Sequence, residues 1–228
     1  MSTLALIGSG NMGSAVARLA VAAGLDLVLS NSRGPQTLSG LVDQLGKRAT
    51  AATVEEAARA GDWVVLSIPF GAYQRIPVEP LGGKTVLETT NYFGRIDELA
   101  AAGTATSSEL VQRHLAGAHV VKAFNTILAR HLYDLARPAG SPDRSALPIA
   151  GDNPAAKAKA VQLLDTLGWD TVDAGSLAQS WRLQPGTPAF LAPYMADPDA
   201  DFATRLATDP GSPAPAEKIR AALDAASR

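Results

Sequence analysis

Short runs of Leu, Val and Ile alternate with longer Ala-rich stretches over the first 125 residues. This is the texture of parallel strands joined by crossover helices. Leu4 to Ile7, Leu27 to Ser30, Trp63 to Ile68, Lys84 to Glu88 and His119 to Ala123 read as strands. Trp63 to Ile68 has no polar alternation, which marks a strand covered on both faces. Met12 to Ala23 reads as a helix ended by Gly24, a residue free to take the positive φ of a C-terminal cap. Pro35 to Leu45 reads as a second helix, with Pro suited to its first turn and Gly46 to its end. Thr53 with Glu56, and Thr106 with Glu109, have the spacing of capping boxes for two more.

Beyond Asn125 the texture changes. Arg137 to Asp143 is rich in Pro, Gly and Ser and breaks the alternation. Leu147 to Ala150, a helix from Pro154 to Leu167 capped by Asn153 and Gly168, and Thr171 to Asp173 make one further αβ unit. Asp197 to Pro215 mixes Asp, Pro, Ala and Gly and reads as loop or arm, and Lys218 to Ala226 as a last short helix with Ile219 and Leu223 on one face.

Composition narrows the function classes. The 228 residues carry 20 basic and 22 acidic side chains, a net charge of -2. With no Lys/Arg block, the electrostatic footprint of a nucleic-acid binder is missing. The absence of Cys excludes disulfides, thiolate zinc sites and cysteine nucleophiles, and points to an intracellular setting. No apolar run approaches the ~20 residues of a membrane span, and no basic leader precedes the first apolar segment. The chain is read as soluble and cytoplasmic, with neither nucleic acid nor membrane as partner. No paired-carboxylate or His-rich spacing suggests a metal, and no G-x-S-x-G elbow suggests a hydrolase.

Gly8, Gly10 and Gly13 are spaced G-x-G-x-x-G where an apolar strand gives way to an Ala-rich helix, the context a dinucleotide turn needs. The first glycine permits the tight turn, the second admits a pyrophosphate to the backbone, and the third lets helix and strand pack closely. Free N–H groups at the helix start face the anion. After the second strand an NAD site places an acidic residue for the ribose hydroxyls. This chain has Ser30, Asn31, Ser32 and Arg33 instead, a set suited to charge-assisted bonds with a 2′-phosphate. NADP(H) is therefore the predicted coenzyme. Ser67, Ile68, Pro69, Phe70 and Gly71, and then Thr89, Thr90 and Asn91, open at the carboxyl edge of the sheet, where ligands bind. Pro69 and Phe70 there either wall the coenzyme or fill a crevice.

Other residues carry two readings each. Lys122 and Asn125 either polarise a substrate or are a snorkelling Lys and an Asn that satisfies local backbone. His131 either reaches the cleft or is structural. Trp181 and Arg182, followed by Gln184, Pro185 and Gly186, either bind a planar anion by stacking and ion pairing or anchor a core or subunit contact.

GSGNMG, SNSRGP, SIPFGAY, VVKAFNT, AGDN and DAG together resemble the 8-hydroxy-5-deazaflavin:NADPH oxidoreductases, which exchange hydride between NADP(H) and the deazaflavin coenzyme F-420. The similarity runs from Leu4 to about Pro188. It implies a phosphate turn at Ser9, Gly10, Asn11 and Met12, a 2′-phosphate pair at Ser32 and Arg33, and nicotinamide-side loops including Ile68, Ala72, Asn91 and Ala129. It further implies an α/β fold, a Rossmann doubly wound parallel sheet, with a smaller C-terminal αβ/helical domain closing a cleft, usually as a homodimer. Residues 1–130 would be the NADP-binding domain and 131–228 the closing domain, with Trp181 to Phe190 lining the cleft and the Asp/Pro-rich tail acting as a dimerisation arm. The chain departs from the family at Asn125, where archaeal members carry His, and in SWRLQPGTPAF with its acidic tail. The acceptor is a deazaflavin or a flavin. The alternatives are an imine or hydroxyacid reductase using Lys122, Asn125 or His131 as proton donor, and a non-catalytic NADP(H)-binding protein. Hydride passes directly between carbons, so a missing acid–base dyad is no objection.

Overall fold

The computed structural model describes residues 2–94, 106–199 and 201–227. Its strands β1 (Thr3–Ile7), β2 (Asp26–Ser30), β3 (Ala49–Ala51), β4 (Trp63–Leu66), β5 (Thr85–Glu88), β6 (His119–Lys122), β7 (Ala146–Gly151) and β8 (Asp170–Asp173) form one sheet in the order β3-β2-β1-β4-β5-β6-β7-β8. The α-helices among the described residues are α1 (Asn11–Ala22), α2 (Ser39–Leu45), α3 (Val54–Ala60), α4 (Ser107–His114), α5 (Ala129–Asp134), α6 (Pro154–Thr166), α7 (Phe202–Thr208) and α8 (Ala216–Asp224). None is long and apolar enough to cross a membrane. Both capping boxes form, at Thr53–Glu56 and Thr106–Glu109.

Alternation along the strands explains why the sheet is covered twice. Leu4 and Leu6 of β1 and Trp63 and Val65 of β4 join one core, while Ala5, Ile7, Val64 and Leu66 join the other. Successive side chains of a strand point to opposite faces, so a strand apolar at every position is satisfied only between two layers. Chain order reverses beside β1, which pairs in parallel with β2 on one side and with β4 on the other. The crevice of a doubly wound sheet opens at such a switch point, outside the carboxyl ends of the strands.

Three features differ from the sequence expectation. β3 has no strand signal of its own, since its three residues are Ala, Thr and Ala at the sheet edge. β7 runs antiparallel to β6, with Val121 opposite Gly151 and Lys122 opposite Ala150, and β8 follows parallel to β7. The Pro- and Gly-containing connection after β6 therefore stays at the carboxyl edge instead of crossing back. The segment read as loop or arm contains α7, capped by the Asp201 carboxylate, which accepts from Thr204 N–H at 3.0 Å. From Asp209 onward the tail lies on its own chain. The Asp209 carboxylate accepts from the backbone N–H groups of Gly211 at 2.8 Å and of Ala196 and Asp197, each at 3.1 Å. Ala146 N–H donates to Ala214 O at 2.8 Å, and Ile219 and Leu223 enter the same core as Leu147 and Ile149.

Candidate coenzyme-binding site

The turn between β1 and α1 assigns each glycine a different physical task. Gly8 has φ +107, and a Cβ there would lie 2.0 Å from the Ser67 carbonyl oxygen. Gly13 sits in the first turn of α1, and a Cβ there would lie 2.1 Å from the Gly8 carbonyl oxygen. Neither position admits a side chain. A Cβ on Gly10, the N-cap of α1, would meet nothing within 4 Å. The space that Gly10 leaves open is thus on the ligand side, in front of a helix start with no side-chain cap. Backbone N–H groups there suit a pyrophosphate.

Beside this turn, the loop after β2 is built on Asn31. Its carboxamide oxygen accepts from Arg33 N–H at 2.9 Å, and its Nδ2 donates to Thr37 Oγ1 at 2.9 Å and to Ser9 Oγ at 3.5 Å. Asn31 therefore ties the 2′-phosphate loop to the glycine turn. Ser32 and Arg33 are exposed, and the Arg33 guanidinium has no hydrogen-bond or ion-pair partner among the described residues. Gly8, Ser9, Gly10, Asn31, Ser32, Arg33, Ile68, Pro69 and Ala72 line one cleft of about 680 Å³. Thr53, read from the sequence only as a helix cap, lines it too, as do Glu55 and Arg75, which the sequence reading did not single out. Nothing in the local sequence of Glu55 and Arg75 distinguishes them from surface positions; only the sheet order brings them to this edge.

Other expected residues lie elsewhere. Met12 is half-buried against the core, and Asn11 and Ala129 line a second cleft of about 700 Å³ between α1 and α5. Phe70 stacks on Tyr73 with ring centroids 5.0 Å apart and meets Tyr92 edge-on at 5.3 Å. Asn91 and Asn125 lock the ends of β5 and β6 together. Asn91 Nδ2 donates to Asn125 O at 3.0 Å, and Asn125 Nδ2 donates to Asn91 Oδ1 at 3.1 Å and to Leu183 O at 2.6 Å. Asn125 is thereby a clasp between the sheet edge and the segment Leu177–Leu183.

Neither reading of Lys122 holds. Its ammonium does not snorkel and does not face the cleft; it is fully buried, 2.9 Å from Glu88 Oε1 and 2.7 Å from Thr90 O. Glu88 also accepts from Ser108 Oγ, and its Oε2 accepts from Thr90 N–H at 2.8 Å and from Thr90 Oγ1 at 2.6 Å. Burial acts to raise the Glu88 carboxyl, but the Lys122 charge and the Ser108 and Thr90 hydrogen bonds outweigh it and hold the group below the usual Glu range. Sequence reasoning missed Glu88, because its pairing is visible only once Glu88 and Lys122 are register partners on β5 and β6.

His131 does not reach the cleft. It is buried, with Nε2 2.8 Å from Asp209 O, and so pins the tail to α5. Arg182 donates to Ala174 O and lines a cleft with Arg220, whereas Pro185 and Gly186 line an apolar cleft of about 450 Å³ with Phe93, Phe190 and Met195.

A switch point beside β1 carrying this glycine turn defines a Rossmann protein of the dinucleotide-binding class. Residues 3–92 match the family described as NADP oxidoreductase, coenzyme F420-dependent. The hypothetical protein SMa0349 of Sinorhizobium meliloti is 35% identical, over 84% of this chain and 94% of that one, with a TM-score of 0.72. A protein of Arthrobacter sp. FB24, provisionally named an F420-dependent NADP-reductase, is 24% identical over 80% of this chain and 87% of that one, with a TM-score of 0.65, which is a likeness of fold. The Escherichia coli K12 protein YjhV is 44% identical over 59 residues, which are 26% of this chain and 43% of YjhV, so the match spans less than half of that curated relative. The chain belongs to the coenzyme F420-dependent NADP oxidoreductase family.

Proposed function

We propose that the protein is an oxidoreductase that transfers hydride between NADP(H) and a deazaflavin or flavin type acceptor. The observation that carries the coenzyme half is the shared cleft: an open Gly10 turn for the pyrophosphate and, tied to it through Asn31, an exposed Ser32–Arg33 pair for the 2′-phosphate. Bound NADPH supplies the hydride. The protein's own residues bind, orient and exclude water, which is the greater part of what transfer between two carbons needs.

In this reading residues 1–130 hold the coenzyme and 131–228 close over it, the protein working as a cytoplasmic homodimer. Ile68, Pro69 and Ala72 wall the coenzyme, and Asn91 flanks its nicotinamide end. The acceptor ring takes the apolar cleft of Phe93, Phe190 and Met195, which adjoins Asn91 in sequence and is held to the β6 end by Leu191 N–H donating to Thr126 O at 2.9 Å. Mixing the protein with NADPH and oxidised F-420, FMN or FAD, and following the absorbance of both partners, tests the reading. Turnover with one acceptor supports it. Tight NADPH binding with no hydride loss to any of them would point instead to a non-catalytic coenzyme-binding protein.

A further inference from the structure

We infer that Arg75 is a second recognition residue for the coenzyme 2′-phosphate, facing Arg33 across the cleft; this rests on the NADP(H) reading and specifies how that site would select its ligand. The loops that follow β2 and β4 rise on either side of β1, because β1 lies between those two strands. Arg33 belongs to the first loop and Arg75 to the second, and both line the same cleft.

Neighbouring cations are already engaged within the fold. Arg59 pairs with Glu79 at 2.8 Å, Arg48 with Asp26 at 3.0 Å, and Lys84 donates to the carbonyls of Arg59 and Gly61. Arg75 is exposed and has no such partner among the described residues. Its backbone is nevertheless fixed on both sides. Tyr73 stacks on Phe70 and meets His114 edge-on at 5.8 Å. Ile76 is buried, its N–H donates to Tyr73 O at 3.1 Å, and its carbonyl lies 2.9 Å from His114 Nε2. A solvated guanidinium is thus presented from an anchored segment.

Charge gives the reason for a second cation. A phosphate monoester carries a charge of about −1.5 to −2 at neutral pH, and Glu55 adds a carboxylate to the same cleft. Arg33 alone would only offset Glu55. With Arg75 the pocket becomes net positive before the ligand enters, and the phosphate can be gripped from both walls by charge-assisted hydrogen bonds.

The test is calorimetric titration of the full chain and of Arg75→Ala and Arg75→Lys with NADPH, NADH, 2′,5′-ADP and 5′-AMP. Arg75→Ala is expected to weaken NADPH and 2′,5′-ADP by about tenfold or more, the range for a hydrogen bond to a charged group, while NADH and 5′-AMP change less than about twofold. The salt dependence of 2′,5′-ADP binding should flatten, and Arg75→Lys should recover part of the affinity. Unchanged 2′,5′-ADP binding in Arg75→Ala would overturn the inference. So would an equal loss for 5′-AMP, because the guanidinium would then be stacking on adenine. A wild-type chain that binds 2′,5′-ADP no more tightly than 5′-AMP would instead remove the coenzyme reading beneath it.

Discussion

Lys122 and Glu88 face one another on neighbouring strands, 2.9 Å apart and both fully buried, at the carboxyl edge below the candidate site. The pair bonds to itself, to Thr90 and to Ser108, all groups of the fold, so it sets the spacing of the β5 and β6 ends from which Asn91 and Asn125 extend. Lys122→Met should cost about 3–5 kcal/mol, because a buried carboxylate is left without its counter-ion. Joint replacement with Glu88→Gln should recover a large part of that loss. Urea unfolding of the two variants decides the matter. A single variant as stable as wild type would refute the ion pair as a structural element.

Gly10 and Gly13 make a matched pair of tests. Gly13→Ala drives a methyl into the Gly8 carbonyl and should lower the unfolding midpoint and coenzyme affinity together. Gly10→Ala meets open space, so stability should stay within about 0.5 kcal/mol while NADPH affinity falls at least about tenfold. Thermal melts with and without NADPH separate the two outcomes.

Arg33→Ala should weaken NADPH binding by about 1.5–3 kcal/mol, the range for a hydrogen bond to a charged group, and barely change NADH. An equal loss for both coenzymes would show that the loop does not read the 2′-phosphate.

Acid should loosen the tail, and neutral pH should not. For Asp209, burial raises the carboxyl, but the N–H groups of Asp197, Ala196 and Gly211, with His131 nearby, outweigh it and leave the group below its usual value. A depressed folded value means that the native state favours the ionised form. The stabilisation is complete above the unfolded Asp value of about 3.9 and is lost as pH falls through the folded value. Asp209→Asn should therefore be less stable than wild type at pH 7 and converge on it toward pH 3, as measured by denaturant midpoints. A constant gap across that range would contradict the assignment.

Truncation at residue 196 should destabilise the fold itself. Ile219 and Leu223 are buried in the same core as Leu147 and Ile149, so Ile219→Ala alone should cost about 2–5 kcal/mol. A variant within about 1 kcal/mol of wild type would show that α8 is dispensable to the chain.

The glycine turn and the buried strands β1, β2 and β4 were legible in the sequence because their signals are local. A glycine that needs φ +107, a Thr–Glu capping pair and a run such as Trp63–Val64–Val65–Leu66 each declare their conformation within a few residues. Arg75, Glu55 and Glu88 declare nothing locally; their relevance arises when the sheet order brings separate loops to one edge or two strands into register. Lys122 misled for the same reason, and His131, open between a cleft and a structural reading, resolves as structural. Each carries a side chain familiar from catalysis, and only tertiary contacts reveal that His131 holds Asp209 and Lys122 holds Glu88.

The central position of β1 has a consequence for how the chain emerges during synthesis. Leu4, the second residue of that strand, pairs with Leu27 on one side and Trp63 on the other, so β1 waits for a much later strand to complete its hydrogen bonds. β7, α6 and β8 follow one another directly, and β7 and β8 pair with each other, so that unit can close from near neighbours as soon as it is made. The two halves then meet at a seam of two register pairs, Val121 with Gly151 and Lys122 with Ala150. Hydrogen exchange on a nascent or partly denatured chain should find that seam opening before the pairing of β1 with β2 and β4 does.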